Sequence, residues 1–171
     1  MFKKSTFFMR VIIILLGAAV LIPVILFTPR FLMYAIEVMQ HMVLSTSTWS
    51  WYYGVVLLFG VAVFGAMVPF LMALYQTMKL LGFIDKKETF SEKSVKALNV
   101  IKNCAVAIFA IYLIGVMPMV RFFVESDDAP GGSIIWAAFS LIPLAIAIFA
   151  SMLMNLIKEA IEIKSENDLT I

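Results

Sequence analysis

Four long apolar runs, Val11–Phe27, Tyr53–Leu74, Cys104–Val120 and Ile134–Leu156, constrain this chain more than any motif in it. None of them contains Asp, Glu, Lys, Arg or His. A hydrocarbon layer about 30 Å thick is crossed by roughly 20 helical residues at 1.5 Å each, and every run is near or above that length. Lipid offers no partner to a backbone amide or carbonyl, so a crossing segment must satisfy its own hydrogen bonds as a helix. The runs predict an all-α polytopic membrane protein with four transmembrane helices in one bundle. The spans are about 11–27, 53–74, 104–120 and 134–156, within a single membrane domain over 1–171.

Charge placement sets the orientation. The chain is 63% hydrophobic and only 14% charged, more apolar surface than a soluble domain of this size can cover. Lys3, Lys4, Arg10, Lys79, Lys86, Lys87, Lys93, Lys96, Lys102, Lys158 and Lys164 fall on one side of the predicted layer. Only Arg30 and Arg121 fall on the other. The positive-inside rule then puts both termini, the loop 79–103 and the tail 157–171 in the cytoplasm, with 28–52 and 121–133 outside. Val11–Phe27 is long for a signal-peptide core. Neither Ile22-Pro23-Val24 nor Phe27-Thr28-Pro29 makes a small-x-small cleavage site, so the run reads as a retained span. The single cysteine, Cys104, excludes an intramolecular disulfide and reads as a small buried apolar residue.

Proline and glycine mark the joints. Pro23, Pro69 and Pro143 lie inside spans and predict kinks or local widening. Small residues four apart, Ala62/Ala66 and Ala147/Ser151, suit close helix approach. Trp49, Trp51, Tyr52 and Tyr53 form an aromatic cluster at the outer edge of the second span, where an interface belt is expected.

Outside the spans, Pro29–Thr48 carries Arg30, Tyr34, Glu37 and His41 at helical spacing. It reads as an amphipathic helix at the outer interface or as an extension of the first span above the lipid. Glu37 and His41 are one turn apart, and the polar-stripe reading outweighs a shared metal for a lone histidine. In the cytoplasmic loop, Gly82 and Asp85-Lys86-Lys87 are expected to interrupt the second helix, and Ser91 or Ser94 to cap a helix running into the third span. Val95, Leu98 and Ile101 share one face of that helix. Lys93, Lys96 and Lys102 lie around the other, suited equally to anionic headgroups and to a docked protein. In the outer loop, Glu125, Asp127 and Asp128 are candidate ligands for a divalent cation. The favoured reading there is a cap at Asp127 or Asp128, with Pro130 opening the fourth helix and no metal bound. The fourth helix is expected to continue past the membrane through Lys164. The like-charged pair Glu162 and Glu166 predicts fraying near Ser165. Beyond that, Glu166-Asn167-Asp168-Leu169-Thr170-Ile171 is expected to fold back on the lysine-rich loop or to share one partner surface with it.

The stretch Phe90-Ser91-Glu92-Lys93-Ser94-Val95-Lys96-Ala97-Leu98, with Ile101 and Cys104, resembles a signature of the bacterial "domain of unknown function 2975" membrane proteins. So do Asp127-Asp128-Ala129-Pro130-Gly131 and the C-terminal run from Ala160 to Ile171. The resemblance covers essentially the whole chain. It implies a four-span protein of the bacterial cytoplasmic membrane, whose gene often neighbours one for a small helix-turn-helix regulator of the Cro/repressor type. It supplies no catalytic residues.

Function is bounded mainly by exclusion. Ion- or proton-coupled transport normally needs ionisable residues inside the spans, because only function justifies their cost in lipid. Here the strongest polar groups are Tyr112, Ser140, Ser151 and Asn155. No phosphate-binding glycine loop, zinc-protease helix or serine-nucleophile motif occurs. The reading is therefore not an enzyme, with no cofactor and no direct nucleic-acid binding. The bilayer is one partner, and a cytoplasmic DNA-binding regulator is the second. Candidate partner-binding residues are Ser91, Ser94, Lys96, Glu166, Asn167, Asp168 and Leu169. The alternative is a small transporter-like bundle for an uncharged or lipophilic compound.

Overall fold

The computed structural model describes residues 2–44, 51–86, 88–118, 120–121 and 130–169, with side chains over 6–40, 54–86, 88–118, 120–121 and 138–166. Its elements are α1 (Phe2–Leu44), α2 (Trp51–Asp85), α3 (Glu92–Gly115) and α4 (Pro130–Leu169). Each of the 4 helices holds a stretch long and apolar enough to cross a membrane. No strand occurs among the described residues. The all-α, four-span architecture expected from the apolar runs is the one formed.

The helices do not stop where the apolar runs stop. α1 has 43 residues and α4 has 40, so they extend about 65 and 60 Å, twice the hydrocarbon thickness. The outer segment therefore begins as the upper half of α1 and does not lie flat at the interface, the second of the two arrangements its pattern allows. Gly82, half-buried, sits inside α2, which ends at Asp85, where the Asp85-Lys86-Lys87 stretch is expected to interrupt it; one helical glycine costs only about 1 kcal/mol, too little to end a helix packed along its length. Pro23 and Pro29 lie inside α1, Pro69 inside α2 and Pro143 inside α4. Beside Pro29, the Thr28 hydroxyl donates to the Val24 carbonyl at 2.7 Å, and in α2 the Thr77 hydroxyl does the same to Ala73 at 2.8 Å. α4 passes Ser165 without fraying. The Ser165 hydroxyl donates to the Glu162 carbonyl at 2.8 Å, and the helix continues to Leu169.

α3 begins 12 residues before its apolar run, at Glu92, and ends before it, at Gly115. Its last turn closes where the Val116 amide donates to the Tyr112 carbonyl at 2.9 Å. Pro118, which has no amide hydrogen to offer, follows at once.

Packing follows chain order: α1 lies on α2, α2 on α3, and α3 on α4, with no close backbone approach between other pairs among the described residues. The bundle is thus an open row of helices. α1 and α2 run antiparallel, with Arg10 against Asp85, Gly17 against Leu74 and Phe31 against Gly60. Two glycines set the closest approaches. A Cβ on Gly115 would stand 1.9 Å from that of Ala62 and 3.4 Å from its Cα, and one on Gly60 would stand 1.8 Å from the Phe31 ring. Ala62 and Ala147, from the small-residue pairs, are both buried. Large apolar side chains such as Phe7, Leu15, Met33, Val68 and Phe149 are more than half exposed. In water that surface would aggregate, whereas in a bilayer it is the ordinary lipid-facing side of the helices.

Candidate functional site

At the end of the row where Arg10 meets Asp85, the link between α2 and α3 is short and locally determined. Ser91 has extended backbone angles, φ −141° and ψ 154°, and its hydroxyl accepts from the Ser94 amide at 3.4 Å. That is helix N-cap geometry, with Glu92 adding negative charge to the first turn. Ser91, not Ser94, is the cap. Ser94 is 0% exposed; its hydroxyl lies 3.3 Å from that of Ser91 and donates to the Glu88 carbonyl at 3.4 Å. Ser94 therefore presents no surface in this structure and ties the loop to the helix.

Lys96 is exposed one turn further on, as are Lys86 and Lys93. Lys93 lies 3.9 Å from Glu88 across a well-solvated gap, a geometry that contributes little. The opposite face of this turn is tightly packed, with Ala97 and Leu98 buried. Glu166 is exposed on α4, while Asn167, Asp168 and Leu169 form its last turn with side chains outside the described residues. As far as Leu169, the last described residue, the tail continues α4 as a helix and does not fold back on the loop.

Arg10 and Asp85 form an ion pair that no local pattern announced. Their contact is 2.6 Å, and only antiparallel packing of α1 on α2 brings them together. At the other end of α1, Arg30 and Glu37 are both exposed, and the His41 side chain lies outside the described residues. The candidate metal ligands Glu125, Asp127 and Asp128, and the aromatic cluster of Trp49 and its neighbours, also fall outside them in whole or in their side chains. Among the described residues no group of three or more His, Cys, Asp or Glu is placed to hold a metal ion. Cys104 is a buried free thiol, as its surroundings in sequence led one to expect.

Two cavities lie within the membrane-spanning part, and neither was legible in the sequence. One, of about 300 Å³, is lined by α1, α2 and α3, among them Val20, Ala66, Phe70, Ile108 and Tyr112. It exists because α1 and α3 both lean on α2 while their backbones stay apart. The second, of about 490 Å³, lies between α1 and α2 and is lined by Pro23, Phe27, Arg30, Phe31, Tyr34 and Phe64, among others. Val24, Phe59 and Val63 line both, so the two are neighbours sharing one wall. The Phe31 and Phe64 rings pack with centroids 5.4 Å apart along one wall.

The family model described as "Protein of unknown function (DUF2975)" matches residues 3–171. The chain belongs to this family. The uncharacterized membrane protein YoaS of Bacillus subtilis (strain 168) is 39% identical over 169 residues, covering 99% of this chain and 99% of its own. No solved structure matches. Membership of DUF2975 agrees with the motifs around Ser91 and the C-terminal run, and with a membrane protein of four spans. It assigns no activity to any residue.

Proposed function

We propose that this DUF2975 protein holds a small cytoplasmic helix-turn-helix regulator at the bacterial cytoplasmic membrane, with both termini on the cytoplasmic side. The observation that carries the reading is the projecting end of α4. Its last buried side chain is Ile157, and Lys158, Glu159, Glu162, Ile163, Lys164 and Glu166 are exposed. The helix nevertheless continues to Leu169, a charged arm about 18 Å long at 1.5 Å per residue. Four crossings return the chain to its starting face, so this arm emerges on the same side as the α2–α3 link with Lys86, Lys93 and Lys96. A preformed helix beside a basic loop supplies both signs of charge to a docked protein without an ordering cost. The spans carry no ionisable residue to move a proton or ion, which favours a binding protein over an enzyme or coupled transporter.

Removing Glu166–Ile171 tests the reading. Membrane insertion and thermal stability should stay at the parental level, while the neighbouring regulator moves from the membrane fraction to the cytosol. Lys93→Gln with Lys96→Gln should weaken retention as well. Unchanged fractionation of the regulator in both variants would sink the proposal. A second reading, a conduit for an uncharged lipophilic compound, draws on the two adjacent apolar cavities among α1, α2 and α3. It predicts an accumulation phenotype unaffected by loss of the arm.

A further inference from the structure

We propose that the cleft between α1 and α2 beside Arg30 binds one acyl chain of an anionic phospholipid, with the Arg30 guanidinium holding the headgroup phosphate. The proposal rests on neither reading above.

Three observations converge on an amphiphile. The first is the volume. About 490 Å³ lies within the range of built ligand sites, about 300–1,000 Å³. The walls are aliphatic and aromatic, and Arg30 and Tyr34 are the polar side chains among them. A soluble anion would find no complement in such walls, and a purely apolar molecule would make no use of the guanidinium.

The second is depth. Arg10 and Arg30 lie on one helix, separated by about 30 Å at 1.5 Å per residue, which is the thickness of the hydrocarbon layer. With Arg10 at one boundary, Arg30 stands at the other, level with headgroup phosphates. The cleft runs from it into the layer past Phe27, Val24 and Pro23. From Arg30 to Pro23 the lining extends about 10 Å along the helix, room for much of an acyl chain within one leaflet.

The third is charge. Arg10 is neutralised by Asp85 at 2.6 Å. Among the described residues no carboxylate lies within 4 Å of Arg30. A guanidinium presents a planar fork that matches phosphate oxygens in pairs. A zwitterionic headgroup carries its own cation beside the phosphate and competes with that fork, so an anionic lipid is preferred. Gly60 keeps the wall open to Phe31, since a Cβ there would meet the ring.

Titration of delipidated protein in detergent with phosphatidylglycerol or phosphatidylcholine, read by native mass spectrometry, tests this. The parent should retain one phosphatidylglycerol at least tenfold more tightly than phosphatidylcholine. Arg30→Gln, at an exposed position that leaves folding intact, should abolish that preference. Val63→Phe, which fills the shared wall of the two cavities, should lower retention of both lipids. Lys93→Gln/Lys96→Gln/Lys102→Gln removes the loop cations that attract anionic lipid nonspecifically and should leave the single tight lipid in place. An unchanged preference in Arg30→Gln, or its loss in the triple-lysine variant, would overturn the proposal. Should Val63→Phe fail to fold, the Arg30 and lysine variants decide the matter alone.

Discussion

The Arg10 guanidinium donates to the Asp85 carboxylate at 2.6 Å across 75 positions of the chain. The pair joins the beginning of α1 to the end of α2. It also locks register. A slide of α1 by one turn would strand both charges at the membrane boundary and drive Phe31 out of the gap that Gly60 leaves for it. The side chains are 41% and 25% exposed, so water screens the attraction. A double-mutant cycle with Arg10→Gln and Asp85→Asn, followed by thermal unfolding in detergent, should give a coupling of about 0.5–1 kcal/mol. Coupling indistinguishable from zero would show that helix packing alone sets the register.

The glycines sort by what surrounds them. At Gly115 an added Cβ meets the side chain and Cα of Ala62 and the Leu58 carbonyl, so α2 and α3 must separate. Gly115→Ala should lower stability by about 1–3 kcal/mol, the range for overpacking a close contact. At Gly60 the obstacle is only the ring of Phe31, which can swing away at the expense of its packing on Phe64; Gly60→Ala should cost less than Gly115→Ala. Gly82 has nothing within 4 Å of a Cβ, and Gly82→Ala should stabilise by up to about 1 kcal/mol through helix propensity. Melting temperatures of the three variants in one detergent decide the order, and a stable Gly115→Ala would refute the close-approach reading.

The contrast between Gly82 and Gly115 shows what sequence reading could reach. Hydrophobicity and charge placement disclosed the four spans, because lipid imposes its demand on every residue of a run. Element ends were misread at Gly82 and Ser165, where a local signal worth about 1 kcal/mol competes with a long packed helix. Ser91 was legible as a cap because capping is a contact over three residues. Arg10–Asp85, the Gly115–Ala62 crossing and the cavity beside Arg30 were not, since each depends on which helix faces become neighbours. The partner residues divide similarly: Lys96 is exposed, whereas Ser94, in the same motif, is enclosed.

The two serines of that motif should therefore respond differently. Ser91→Ala removes the cap of α3 and should cost about 1 kcal/mol, whereas Ser91→Asp, which caps as well as serine, should cost little. Ser94→Ala removes a buried hydroxyl whose contacts, at 3.3–3.4 Å, are long, so its effect should be smaller than that of Ser91→Ala. Chemical or thermal unfolding of the three variants provides the check. A larger loss for Ser94→Ala than for Ser91→Ala would reverse the roles given to the pair.

Orientation can be tested at the same loop. Lys86 is exposed just beyond the end of α2, on the face that also carries Arg10, Lys93 and Lys96. Eleven of the 13 basic residues lie on that side of the predicted layer, and cytoplasmic loops are where such an excess accumulates. In a Cys104→Ser background, Lys86→Cys should resist a membrane-impermeant maleimide in intact cells and react once the membrane is opened. Glu37→Cys, exposed near the far end of α1, should react in intact cells. The background substitution removes the buried free thiol and exchanges one small side chain for another, so insertion should be preserved. Strong labelling at Lys86→Cys with protection at Glu37→Cys would invert the topology and place the projecting arm of α4 outside, beyond the reach of any cytoplasmic regulator.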